Sequence, residues 1–557
     1  MKRMTNGGSP LLKALDMIRR CHPSSFWWRI VYVVLLSVLP LLNLYVLKLL
    51  VDGITTATLP TILNHSFSIL HLVVLYCAIF LLTRLVTILS GLNNDIMTQR
   101  LTDYLSDRMQ QQSARLDMAY FDNPAYHDTY HRAQQEASYR PIQILNGFMG
   151  LFGSLISIAG IVAMLATASW LIIVVMVVAV LPSFFVRIIK SKQLYTFRRE
   201  TTQDYRRTAY YSALLGGRDF AKEMRTFGLS AYFRSRYLAL RRRLVDRLFR
   251  ISRRLAGYDA ICAVVETAAL FLIVIFLFQG TARGAITVGS FVMLFEAFRR
   301  GQSQMNTLVA SISALYDNRL FIGNLFEFLD LEPRITTPPD PVPFPQKIET
   351  VEFRDITFRY PDMERDVLSH YSLTARAGEI TRIEGQNGFG KTTLLKLLLR
   401  LYDTDGGAVL INGIDVRRFD LAELRRGVGA VFQDFVRFYA TAAENIAFGN
   451  VDNVSTYQHN NISTIQRAAA MAGADTFIER LPKGYDTPLG RMFDGGEDLS
   501  MGQWQRIALA RQLYSDAPIL LFDEPTAWMD IPTREHFEQT LQSLKEQNKV
   551  IILIKHI

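Results

Sequence analysis

Six apolar stretches dominate the first part of this 557-residue chain, at positions 26–50, 67–89, 142–166, 170–189, 260–278 and 286–308. Each is near the ~20 residues that a helix needs to cross a bilayer. Backbone groups in lipid must bond within their own segment, so runs of this kind cross as helices. Burial of all six in one soluble core is the poorer explanation. A cleaved signal peptide does not account for the first run, which is too long and is followed by no small-residue cleavage site.

The basic residues orient these spans. Positions 51–66 contain no Lys or Arg, the turn between the third and fourth runs has none, and the last hairpin carries only Arg283. The segment between runs two and three holds Arg100, Arg108, Arg115, Arg132 and Arg140. That between runs four and five is denser still, with Arg198, Arg199, Arg206, Arg207 and Arg241-Arg242-Arg243. The positive-inside rule therefore puts both long segments and both termini in the cytoplasm of a multi-pass protein of the cell membrane. The net charge of +10 fits loops facing anionic membrane lipid, and no nucleic-acid partner is expected. Cys21, Cys77 and Cys262 are far apart and suggest neither a disulfide framework nor a metal site.

The two long segments show helical apolar spacing, for example Tyr195, Phe197, Tyr205, Ala209 and Leu214. They read as helices that continue beyond the membrane, reverse at Tyr120-Phe121-Asp122-Asn123-Pro124 and near Gly216-Gly217-Arg218-Asp219, and return. Three parts follow: a membrane domain over 1–330, a proline-rich linker over 331–347, and an α/β domain over 348–557, where short β-branched runs alternate with helices.

The α/β part carries the chemistry. Gly385-Gln386-Asn387-Gly388-Phe389-Gly390-Lys391-Thr392 fits the phosphate-loop pattern without a mismatch, between an apolar strand and the helix that Thr393 continues. Its glycines let backbone amides face phosphates, and the helix N-terminus adds positive potential. Lys391 is positioned to reach the β- and γ-phosphates, and the Thr392 hydroxyl to bind Mg²⁺. Downstream, the apolar strand Ile519-Leu520-Leu521-Phe522 ends in Asp523 and Glu524. At a buried strand's carboxyl end, Asp523 fits a water-mediated Mg²⁺ contact and Glu524 the general base for an attacking water.

With these motifs the chain resembles a half-transporter of the ATP-binding cassette (ABC) family, of exporter type, over nearly its whole length. The resemblance implies an all-α six-helix transmembrane bundle followed by an α/β P-loop NTPase domain of ABC type. Leu499-Ser500-Met501-Gly502-Gln503 resembles the family signature LSGGQ. By that resemblance Ser500, Gly502 and Gln503 address the γ-phosphate of ATP held by the other subunit. Tyr360 resembles the aromatic that stacks on adenine, and Gln433 the glutamine that senses Mg²⁺. Asp530 resembles the D-loop aspartate, and His556 the switch histidine that contacts the γ-phosphate. The segments around 120–124 and 217–223 resemble the two coupling helices that dock on nucleotide-binding domains.

Three departures stand out. Met501 occupies a position where the family has glycine, and a side chain there obstructs close approach to phosphate. Ala527-Trp528-Met529-Asp530 replaces the common SALD. The chain stops at Ile557, where relatives continue, so a truncated C-terminus is expected. Charges also fall inside spans: Glu266 in the fifth, and Glu296, Arg299 and Arg300 in the sixth. Such charges usually brace one another or line a path. Glu266 and the Arg299/Arg300 pair are expected at similar depth, open to either role.

One phosphate loop and one signature per chain imply a dimer, with ATP and Mg²⁺ shared between opposite subunits. The expected function is ATP-driven transport, in the export direction, of a peptide, lipid or hydrophobic small molecule. An importer with an exporter fold and a weakly active regulatory half are the rival readings. A homodimer carries Met501 at both sites and a heterodimer confines it to one; the residues leave both open.

Overall fold

The computed structural model describes residues 10–56, 61–62, 65–66, 68–123, 126, 130, 133–134, 139–361, 363–385, 388–450 and 462–555. Two compact units emerge. One comprises Met1–Ser113 and Thr129–Asp330, the other Ala114–Asp128 and Leu331–Ile557.

Among the described residues, the first unit is helical apart from two short antiparallel strands, β1 (Thr61–Ile62) with β2 (His65–Ser66). Among the described residues, five helices are long and apolar enough to cross a membrane: Pro23–Thr55, Ile69–Arg115, Arg140–Ala166, Trp170–Phe197 and Ser230–Ala282. The sixth run also forms one continuous helix, Val288–Leu329, but Glu296, Arg299 and Arg300 interrupt its apolar character. It packs most extensively along Arg140–Ala166. That approach is close enough that a Cβ at Gly150 would stand 2.5 Å from Ser311 Oγ. A buried core of Ile161, Leu165, Met176, Ala297 and Phe298 lies inside the bundle, while Leu70, Val74, Ile88, Phe271 and Leu272 are exposed. An apolar outer surface of this extent suits lipid as the surrounding solvent. At 1.5 Å per residue, the 47-residue helix Ile69–Arg115 and the 53-residue helix Ser230–Ala282 are about 70 and 80 Å long, far more than a ~30 Å hydrocarbon core. The second reversal holds the short helix Ala221–Thr226, flanked by exposed Phe220 and Phe227.

Among the described residues, the second unit holds two sheets. An antiparallel sheet has the order β4-β3-β6-β7, from β3 (Thr350–Phe358), β4 (Leu368–Arg376), β6 (Gly406–Ile411) and β7 (Ile414–Asp415). A parallel sheet has the order β5-β10-β9-β8, from β5 (Ile380–Glu384), β8 (Val428–Val431), β9 (Ile519–Asp523) and β10 (Val550–Lys555). β9 is buried throughout and β10 nearly so, which is why both read as continuous apolar runs. The proline-rich stretch 331–347 is extended and held against this unit: Val342 bridges to Phe419, Phe344 packs on the Phe419 ring at 5.5 Å, and its amide donates to Glu423.

The first reversal belongs with this second unit, although the sequence suggests a single membrane domain over 1–330. The short helix Met118–Asp122 is tied down by several contacts. Asp117 accepts from the amides of Arg334 at 2.6 Å and Ile335 at 3.3 Å, Tyr120 donates to the Glu332 carbonyl at 3.0 Å, and Ala119 packs on the core. Pro124, in the expected turn, lies outside the described residues.

Candidate functional site

Parallel pairing brings four strand ends to one edge. β10 pairs with both β5 and β9, and β8 pairs with β9, so the residues after Glu384, Val431, Asp523 and Lys555 emerge together. Ligands bind at this edge of open α/β sheets because loops diverge there and helix N-termini point into the gap.

The phosphate loop leaves β5 at Gly385. Gly388 and Gly390 have φ of +87° and +73°, a left-handed backbone that side chains resist, and a Cβ at Gly390 would meet Leu368 at 2.8 Å. The loop delivers the chain into the helix Lys391–Leu398, whose first-turn amides face the edge. Lys391 is buried, and its ammonium donates to the Gly385 carbonyl across the mouth of the loop. Thr393 is buried behind it, its hydroxyl 3.1 Å from that of Tyr360. Asn387 and His556, both expected at the site, lie outside the described residues.

Asp523 ends β9 almost wholly buried and accepts from the Thr392 hydroxyl at 2.7 Å. Burial pushes its carboxyl above the ordinary range, the Thr392 bond opposing the shift. Glu524 follows with φ of +51°, rare for a residue with a side chain, and its amide donates to the Ile554 carbonyl of β10 at 3.2 Å. Its carboxylate accepts from Gln433 Nε2 at 3.0 Å. Sequence reasoning missed Gln505, which is buried and braces this corner: Nε2 donates to the Glu524 carbonyl at 3.1 Å and Oε1 accepts from the Trp528 amide at 3.2 Å. A glutamine two residues after Gln503, on the inward face of the same helix, was the available signal.

The signature residues open the helix Met501–Tyr514. Ser500 caps it in a reciprocal box with Gln503: Ser500 Oγ accepts from the Gln503 amide at 3.3 Å, and Gln503 Oε1 accepts from the Ser500 amide at 2.9 Å. Met501 takes the first helical position, half-buried, and leaves this cap intact. Gly502 is needed sterically, since a Cβ there would come 2.5 Å from the Trp528 carbonyl oxygen. Asp530 caps the helix Ile531–Glu546, and hydrogen bonds from Thr533 hold its carboxyl below the usual range.

These groups fit ATP with Mg²⁺. A buried ammonium, left-handed glycines and a helix N-terminus form a polyphosphate cradle, and the Thr392–Asp523 oxygens are hard ligands of the kind Mg²⁺ takes.

Residues 368–527 match the family model described as ABC transporter. The chain is 26% identical over 550 residues to the subtilin transport ATP-binding protein SpaT of Bacillus subtilis, covering 98% of this chain and 87% of that protein. It is 24% identical to the nisin transport ATP-binding protein NisT of Lactococcus lactis subsp. lactis, covering 94% and 86%. An ATP-dependent lipid A-core flippase of Pseudomonas putida is 32% identical over 60% of this chain and 53% of its own length. Residues 368–527 are an ABC transporter domain. A solved bacterial Atm1-family ABC exporter with ATP bound shares its fold, with a TM-score of 0.77 and 22% identity over 97% of this chain and 91% of that one. With apolar spanning helices and an ABC domain, the chain is a multi-pass membrane protein of exporter architecture whose nucleotide-binding domain is cytoplasmic.

The transporter's membrane unit holds a polar cleft of about 490 Å³ between the helices Trp170–Glu200, Ser230–Ala282 and Val288–Leu329. Glu266 accepts there from Ser183 Oγ at 2.8 Å and from Asn306 Nδ2 at 3.3 Å, and Asp317 accepts from Ser191. Lys190 and Asp259 approach to 3.7 Å, while Arg187 has no hydrogen-bond or ion-pair partner among the described residues. Of the two roles open to Glu266 and the Arg299/Arg300 pair, mutual neutralisation is not the one formed among the described residues. Arg299 instead bonds Glu296, one turn away on its own helix, at 2.8 Å. Positions three apart on a helix are neighbours, so the local pair closes first.

Proposed function

We propose that this half-transporter uses ATP hydrolysis to export a polar, amine-bearing substrate, working with a second half-transporter. The meeting of the Thr392–Asp523 and Gln433–Glu524 pairs beside the phosphate loop carries the ATPase reading. In it, Lys391 and the amides from Gly385 to Thr393 hold the β- and γ-phosphates, and Tyr360 stacks on adenine. Thr392, Asp523 and Gln433 hold Mg²⁺, which neutralises phosphate charge when bound. Glu524 accepts the proton of the attacking water, its carboxylate oriented by Gln433. Ser500, Gly502, Gln503 and Asp530 serve the ATP of the partner, so each site needs two chains.

The substrate class rests on the cleft. Glu266 and Asp317 are solvated by neutral hydroxyl and amide groups and lack a countercharge among the described contacts. Glu266 lies within the fifth apolar run, where a charge costs roughly 2.5–3.5 kcal/mol at the span centre and a cationic ligand offsets part of that, whereas Asp317 lies beyond the sixth run on the extension of its helix. Asn306 and Asp317 are eleven positions apart, about 16 Å along the helix, room for an extended chain of about five residues. Such a lining disfavours a purely apolar drug or acyl chain. The test is ATPase activity of the reconstituted full-length transporter with lysine-containing and uncharged peptides. Stimulation by the former alone, lost in Glu266→Gln, supports the assignment. Equal stimulation by both rejects it.

A further inference from the structure

Tyr402 lies between the adenine-stacking candidate and the first coupling segment. It is 4% exposed and lies within the connection from the phosphate-loop helix to β6. Its ring meets that of Tyr360 edge-on, centroids 5.2 Å apart and planes at 86°, and meets Phe358 at 5.6 Å. Phe358 in turn packs against Tyr360 at 5.0 Å. The three rings thus form a closed triangle in which no member can tilt alone, because close-packed interiors transmit displacement. The Lys396 ammonium sits over two of them, 5.2 Å from the Tyr360 centroid and 5.8 Å from that of Tyr402, and ties them further.

The triangle has one polar exit on the coupling side. The Tyr402 hydroxyl donates to the carboxylate of Asp122, the last residue of the helix Met118–Asp122. A buried tyrosine hydroxyl needs such a partner. Burial, then the neighbouring carboxylate, push this hydroxyl far up, so it stays protonated and remains a donor. The other anchors of that helix, Asp117 and Tyr120, grip the backbone of residues 332–335 instead. Asp122 alone among these anchors is joined to the aromatic triangle.

We propose that Tyr402 and Asp122 form a base-sensing latch: stacking of the nucleobase on Tyr360 fixes the aromatic triangle, and the Tyr402–Asp122 hydrogen bond carries that constraint to the coupling segment. Both act as positioning residues, and the inference rests on the ATP reading above. The latch reports the base, whereas the phosphates are read by Lys391, Thr392 and Glu524. Phosphate occupancy without a base leaves the coupling segment loose. The segment runs directly into the helix Ile69–Arg115, so tightening it acts on the end of a membrane-spanning helix.

Amide hydrogen exchange on the full-length transporter, in a Glu524→Gln background that retains nucleotide, tests this. Mg²⁺ with ATP is compared with Mg²⁺ with inorganic tripolyphosphate, which fills the phosphate loop but has no base. ATP is expected to slow exchange over residues 117–123 roughly threefold or more, and tripolyphosphate to slow it only at 388–394. Tyr402→Phe and Asp122→Ala, which keep the rings packed, are expected to abolish the effect at 117–123 and leave ATP protection at 388–394 unchanged. Equal protection of 117–123 by tripolyphosphate overturns the latch. So does persistence of the ATP effect in Tyr402→Phe, or loss of protection at both segments in that variant, which would make Tyr402 part of the nucleotide cradle. If ATP protects neither segment in the parent protein, the nucleotide reading falls and the latch with it.

Discussion

The side-chain amide of Gln433 donates to the carboxylate of Glu524 across 3.0 Å, joining the end of β8 to the end of β9. Glu524 holds this contact from a left-handed backbone, φ +51°, that costs a non-glycine residue about 1–3 kcal/mol. Gln505 restrains the same corner through the Glu524 carbonyl. A strained, braced carboxylate held by an amide donor is an arrangement suited to orienting a water.

Glu524→Gln should therefore cut ATP turnover by about 10²–10⁴-fold, the usual contribution of a general base, with ATP affinity nearly intact. Steady-state hydrolysis and nucleotide titration on the same preparation check it. Hydrolysis within tenfold of the parent would remove Glu524 from the role.

Lys391→Ala should weaken ATP binding by about 10–100-fold, since a charge-assisted hydrogen bond is worth about 1.5–3 kcal/mol. Fluorescent-nucleotide titration of the full chain measures it. Unchanged affinity would mean that the phosphate loop is not used in this way.

Asp523→Asn separates stability from activity. Burial raises the folded-state pKa of Asp523 above its unfolded value. The charged form is thus disfavoured in the fold at neutral pH, and the penalty lifts as pH falls through the raised pKa toward the ordinary value near 4. Asn keeps an acceptor for Thr392 and removes the charge. The nucleotide-free variant should melt higher than the parent at pH 7.5, with the gap closing as pH is lowered, while ATPase activity is lost. A gap that widens on acidification contradicts the assignment.

Gly502→Ala forces a methyl to 2.5 Å from the Trp528 carbonyl oxygen. Overpacking of this kind costs about 1–3 kcal/mol and must move either the signature helix or the Trp528 loop. A fall in melting temperature with a loss of ATPase activity is expected, and a neutral result would mean that the loop yields freely.

Met501→Gly addresses the dimer. Met501 leaves the Ser500–Gln503 cap whole, so any defect lies in its approach to the partner's phosphate rather than in helix formation. If the natural assembly is a heterodimer, the chain purified alone should be a weak ATPase, and the glycine variant should raise its rate about tenfold or more, the scale of a restored donor around a reacting phosphate. Strong parent activity that the substitution does not raise returns the homodimer.

Much of this protein is local in origin and was legible in the chain. Apolar runs near 20 residues, the arginine asymmetry between loops, the phosphate loop, and a buried strand ending in Asp523-Glu524 each depend on neighbours in sequence, so spacing alone carries them. What the chain could not convey is which distant ends meet. The order β5-β10-β9-β8 inserts the last strand between the phosphate-loop strand and the Asp523 strand, and only that pairing brings Lys391, Thr392, Asp523, Glu524 and Gln433 to one edge. The same holds for Glu266, which sequence depth matched with Arg299 but which side-chain direction matched with Ser183 and Asn306. It holds again for Asp122 and Tyr402, 280 positions apart, whose contact no pattern announces. Periodicity determines which face of an element is buried; tertiary packing alone decides against what, because that choice is made by shape and hydrogen-bond satisfaction between segments the sequence keeps apart.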